Sequence, residues 1–183
     1  MTLAPHWRSV VDFVLFQAVW FAATFGAVAG LGLWIVPVAG IGLWMHLVLC
    51  VEPRFRRSEL RTIALAGAIG AVTDVLATYF GLFAFPTDQT SPLGVPLWMW
   101  CLWFCFPIML GTTLRWLSNR FWLAVSLGLV GGPLSYFAGV RIGALRIGAP
   151  EHLGYLWVAI VWGAFTPLAL WIHGTSRGGA LGR

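Results

Sequence analysis

Asp74 is where chemistry is most readily placed in this chain. It lies inside the apolar run Leu60 to Phe85, and no other acidic residue sits so deep in such a run. Read as a membrane-spanning helix, Thr62 to Phe83 rises about 30 Å, one hydrocarbon thickness, and Asp74 falls past its midpoint. A carboxylate at that depth is costly unless neutralised, paired or hydrated, which makes it a candidate functional group, and a candidate catalytic one, by default. Thr78 and Tyr79 follow on the same run. At similar depth in another apolar run are Ser135 and Tyr136, directly after Gly131-Gly132-Pro133. That tripeptide predicts freed backbone carbonyls in mid-membrane, tolerated only against protein or a wet cavity. Arg141 ends the run about 10 Å shallower than Asp74, a gap that a bent side chain or one water spans. Asp74, Tyr79, Ser135, Tyr136 and Arg141 therefore form the candidate ligand site, with Asp74 and Arg141 as a buried pair or anion clamp. The structural alternatives are a protonated or helix-tying Asp74, glycines that only let helices approach, and Arg141 as an interfacial anchor.

A second polar level combines Asp12, Gln17, His46 and Arg115 near the other membrane face. Here the simplest roles are modest. His46 reads as a helix–helix hydrogen-bonding group, Asp12 as solvated near the surface, and Arg115 with Arg120 as contacts to lipid phosphate.

The elements that must carry these residues follow from composition. Of 183 residues, 60% are hydrophobic and 9% charged, against about 25% charged in soluble domains, so the solvent must be lipid. Twelve Trp and thirteen Phe suit aromatic belts at the interfaces. The formal charge of +5 comes from eleven Arg and no Lys, and these lie mainly between apolar runs. Membrane topology, not nucleic-acid binding, accounts for them.

Six runs result, at about 10–28, 31–51, 62–85, 95–117, 121–142 and 153–173. Pro37 kinks the second helix or sets its start, and the turn-forming stretch Pro86 to Pro92 ends the third run. Arg8 precedes the first run, four Arg occupy the second connection, and Arg115 and Arg120 occupy the fourth. The first and third connections have none, and only Arg141 and Arg146 in the fifth break the alternation. The expectation is all-α: a single domain over 1–183, an integral membrane bundle of six transmembrane helices with both termini cytoplasmic and a mobile tail from Gly174. Ala27-Val28-Ala29 looks like a signal cleavage site, but Asp12 and Gln17 interrupt the run before it, so the first segment stays.

Nothing in the sequence points to a metal or a cofactor. Cys101 and Cys105 share a helix face without a second ligand pair, the four His share no ligand spacing, and there is no phosphate-cradling glycine loop or Ser-His-Asp arrangement.

Several motifs in order carry a resemblance. Phe16-Gln17-x-x-Trp20-Phe21, His46-Leu47, Gly70-x-x-x-Asp74 and Pro96-Leu97-Trp98-Met99 precede the run Gly131 to Ala144, the most specific part. Together, and over nearly the whole chain, they resemble an uncharacterised family of small bacterial inner-membrane proteins, domain of unknown function 2878. The resemblance implies six helices, the bacterial inner (cytoplasmic) membrane, and an association with lipid-modifying enzymes such as fatty-acid methyltransferases. One departure is visible: Gly111 to Trp116 stands where the family pattern is a more polar Asn-His-Ser-like run.

The expected function is the binding or handling of a lipid or acyl chain during membrane-lipid modification, with membrane lipids as partners. One alternative is a vitamin-like substrate-binding subunit of a transporter, meeting a membrane-protein partner through the small face Ala18, Ala22 and Gly26. Another is a structural subunit of a larger complex. No nucleophile–base pair identifies an enzyme.

Overall fold

The computed structural model describes residues 2–85 and 93–181, with side chains in the last helix described through Gly178. Six helices form one bundle: α1 (Pro5–Val28), α2 (Ile35–Met45), α3 (Arg56–Tyr79), α4 (Leu97–Cys105), α5 (Phe121–Ile142) and α6 (Glu151–Leu181). Five helical segments are long and apolar enough to cross a membrane, α2 being extended at both ends to Gly32–Cys50. Their outward faces carry exposed Phe, Leu, Val and Trp, as a lipid solvent requires. The protein is a multi-pass membrane protein.

The fourth run differs from the continuous span expected over 95–117. Helix α4 stops at Cys105, a 3-10 turn covers Phe106–Met109, and a second covers Arg115–Leu117. Pro107 explains the break, because it lacks the N–H that would continue the α-helical ladder. The segment still runs the length of the bundle, since Trp103 meets Asp74 and Thr112 meets Asp12. It packs against α1, α2 and α3 and is buried on most sides, so it forms the core.

Three other boundaries move. Helix α3 covers Arg56–Tyr79 instead of 62–85, because the charged stretch Arg56 to Arg61 is its first turns and not a loop. Pro37 falls in the first turn of α2, where its missing N–H has no helical partner to lose. The tail expected to be mobile from Gly174 continues α6 to Leu181. The turn predicted at 86–92 lies outside the described residues.

Helix α5 is continuous through Pro133, so the expected backbone irregularity does not interrupt it. Gly128 and Gly132 face Trp162 of α6 so closely that a Cβ on either would collide with it. Helices α5 and α6 thus pack backbone to backbone at Gly128 and backbone to side chain at Gly132. Gly143, at φ 91°, ends α5 in the left-handed conformation that glycine adopts without steric cost. Beyond it, β1 (Phe83–Ala84) pairs antiparallel with β2 (Arg146–Ile147). This two-residue clasp joins the connections after α3 and before α6.

Candidate functional site

Helix α3 presents one stripe of mostly small buried residues at three- and four-residue spacing: Glu59, Ile63, Ala66, Gly70, Asp74 and Ala77. Small side chains let α4 approach, and Trp103 lies so close to Gly70 that a Cβ there would overlap its ring. The approach brings the Trp103 indole to Asp74, four residues on, where Nε1–H donates to Oδ2 at 2.6 Å. From α5, the Tyr136 hydroxyl donates to the same carboxylate, 2.6 Å from Oδ1 and 2.8 Å from Oδ2. Asp74 is 2% exposed, and no cation among the described residues is paired with it.

Trp103 and Tyr136, but not Asp74 itself, line a small cavity of about 50 Å³ with Trp20, Trp98, Ser135 and Trp162. Tyr136 is therefore the hydroxyl through which a group in the cavity would exchange a proton with Asp74. Among the described residues the buried indole N–H of Trp98 has no hydrogen-bond partner. Such a donor favours a ligand that brings an acceptor oxygen.

A larger groove of about 440 Å³ adjoins this cavity and shares Phe16, Trp20, Phe106, Ser135 and Trp162 with it. It lies between α1 and α5, among Phe13, Gln17, Leu127, Gly131 and Leu134. Phe13, Leu127 and Leu134 are exposed on the lipid-facing surface, so the groove opens sideways. Trp20 Nε1–H donates to Ser135 Oγ at 3.0 Å between groove and cavity. A Cβ on Gly131 would meet nothing within 4 Å.

The outer site residues thus separate. Asp74 and Tyr136 are in direct contact, and Ser135 lines the adjoining cavity. Tyr79 is 81% exposed and faces away from both. Arg141 is exposed at the end of α5 and makes no ion pair with Asp74. The expected pair is replaced by neutral donors from Trp103 and Tyr136, because the face of α5 turned to Asp74 carries Tyr136, while Arg141, five residues on, lies on another, exposed face. Trp103 was missed; its only signal was a large indole opposite Gly70-x-x-x-Asp74.

At the other end Asp12 is fully buried, not solvated. His46 Nδ1 lies 2.8 Å from Asp12 Oδ1, and Thr112 Oγ donates to Asp12 Oδ2 at 2.8 Å. His46 Nε2 faces Glu59 Oε1 at 3.5 Å, while Glu59 Oε2 meets His173 Nε2 at 3.4 Å and Arg177 at 3.0 Å. Side chains from α1, α3, α6 and the turns after α2 and α4 meet here. Gln17 belongs to the groove instead, and Arg115 is exposed outside the cluster. Glu59, His173 and Arg177 had no local signal, being joined only by the fold.

The family model for proteins of unknown function designated DUF2878 matches residues 9–168. The chain belongs to the DUF2878 family. Its match contains Asp12, His46, Glu59, Asp74 and Tyr136 and ends before His173 and Arg177. The run Gly111 to Trp116 lies on the inner cluster: Thr112 donates to Asp12, and Thr113 donates to the Ser9 carbonyl at 2.8 Å. No curated protein and no solved structure matches the chain.

Proposed function

We propose that this DUF2878 protein binds a membrane lipid by its acyl chain in the groove between α1 and α5, in the service of lipid modification in a bacterial inner membrane. The observation that carries the reading is the groove itself: apolar, open to the bilayer, and leading to a polar end with Tyr136, Ser135 and the unpartnered indole donor of Trp98. Its size suits a ligand of lipid-tail dimensions. An ester or carboxyl oxygen reaching the cavity would meet those donors, with Asp74 behind Tyr136 as proton acceptor.

Orientation follows the arginines. Arg8, Arg54, Arg56, Arg57, Arg61, Arg115, Arg120 and Arg177 lie at the Asp12 end, and Arg141 and Arg146 at the other. The Asp12 end faces the cytoplasm on this reading.

Gly131→Phe tests it, because the new side chain fills the groove without a clash at its Cβ. Wild type and variant are purified gently from their own membrane and the bound lipids identified by mass spectrometry. We expect a defined lipid on the wild type and its loss, or a shorter chain, in Gly131→Phe at unchanged thermal stability. The same lipids in the same amounts on both proteins would rule the groove out. A tightly bound water-soluble metabolite would favour the transporter subunit, and a stoichiometric protein partner without ligand a structural role.

A further inference from the structure

The cluster at the Asp12 end contains a hydrogen-bonding conflict. His46 presents Nδ1 to Asp12 and Nε2 to Glu59, both carboxylates, and all three side chains are at most 2% exposed. A neutral imidazole carries one ring proton and can serve only one of them. With that proton on Nδ1, Nε2 and Glu59 Oε1 face each other as two acceptors, and neither atom has a hydrogen-bond partner among the described residues. Two arrangements resolve the conflict. Either His46 carries both protons as an imidazolium, or a cation replaces the proton on Nδ1 and the remaining proton moves to Nε2 to serve Glu59.

Cys50 favours the second. His46 and Cys50 are the first and last residues of the wide π-helical turn His46–Cys50 that ends the second span, and both are buried. Such turns are rare and frequently accompany functional sites. One ligand atom each from Asp12, His46 and Cys50 lie within 4.8 Å of one another. The Cys50 thiol has a long contact, 3.9 Å from Sγ to the Arg8 carbonyl, which a bound metal would replace with a strong bond.

We infer that Asp12, His46 and Cys50 form a three-ligand site for a divalent transition metal of the zinc class. Oxygen, nitrogen and sulfur donors together suit this borderline-soft ion, which commonly takes three protein ligands and leaves one position open. Binding releases the thiol proton of Cys50 to solvent, so one carboxylate and one thiolate balance the dication in a buried site, with a water that enters with the ion as the fourth ligand. Glu59 then accepts from His46 Nε2–H, the outer-shell arrangement that orients metal-bound imidazoles, and Arg177 and His173 hold Glu59 in turn. The ion would staple α1 to the end of the second span. The lipid reading is not needed for this site.

The test uses the full chain without an affinity tag. Zinc content is measured by mass spectrometry after growth in zinc-supplemented medium, and chelator-stripped protein is then titrated with Co2+. We expect about one ion per chain and a thiolate-to-cobalt charge-transfer band with tetrahedral d–d absorption. Cys50→Ser should lose that band and bind at least tenfold more weakly, while Cys101→Ser and Cys105→Ser keep it. Wild-type protein that takes up no ion, and whose thermal unfolding neither zinc nor chelator shifts, would overturn the inference. So would binding without the thiolate band, or binding unchanged by Cys50→Ser, which would point to exposed His6 or His152. Nitrogen NMR showing both His46 ring nitrogens protonated in zinc-treated protein would establish the imidazolium instead.

Discussion

Glu59 and Asp74 are buried on one face of the same helix, about 22 Å apart along its axis, yet they are satisfied in opposite ways. Glu59 is met by the Arg177 guanidinium and two imidazoles. Asp74 is met by a phenol and an indole, both neutral. Removing Glu59 strands a cation; removing Asp74 strands only neutral dipoles. The first arrangement suits a fixed joint among helices, and the second a group that can take part in proton exchange without dismantling its surroundings.

Glu59→Ala should show the largest effect, since it leaves Arg177 and His173 facing each other without their carboxylate. We expect a loss of about 3–5 kcal/mol, read from equilibrium unfolding in bicelles. Gly70→Ala comes next. Its methyl group overlaps Trp103, and shifting that ring should cost about 1–3 kcal/mol in the same measurement. It should also loosen lipid binding, because Trp103 lines the cavity. Tyr136→Phe removes one hydroxyl from Asp74 and should cost about 1–3 kcal/mol at most, while changing which lipids are retained. A loss for Tyr136→Phe equal to that for Glu59→Ala would erase the contrast between the two ends. A small loss with altered lipid content would sharpen it.

Much of this was legible in the residues, and the failures have physical causes. Apolar runs located all six helices, because a lipid solvent imposes hydrophobicity on every spanning segment. The meeting of Asp74 with Tyr136 was legible because both lie at one depth on segments of known length. The Arg141 pairing failed because depth says nothing about which face of a helix a residue occupies, and Arg141 lies on an exposed face of α5, away from the one that carries Tyr136. Glu59 stands among the four Arg of the second connection, where local charge predicts a solvated side chain. Continuing the buried stripe of α3 backward from Asp74 by threes and fours, through Gly70, Ala66 and Ile63, would have carried it inward. His173 and Arg177 are more than a hundred residues from Glu59, and no local pattern joins them.

The clasp of Phe83–Ala84 with Arg146–Ile147 has a kinetic consequence. Phe83 is buried with its ring 5.2 Å from Tyr136, and Leu145, just before β2, lines the cavity. These residues roof the Asp74 end, while the groove between α1 and α5 stays open to the hydrocarbon. On the proposed lipid reading, occupancy of the site would be set by the mole fraction of ligand in the membrane plane and not by its aqueous concentration. Exchange should accordingly slow as the bilayer stiffens, following the fluidity of the surrounding lipid more closely than the viscosity of the water above it.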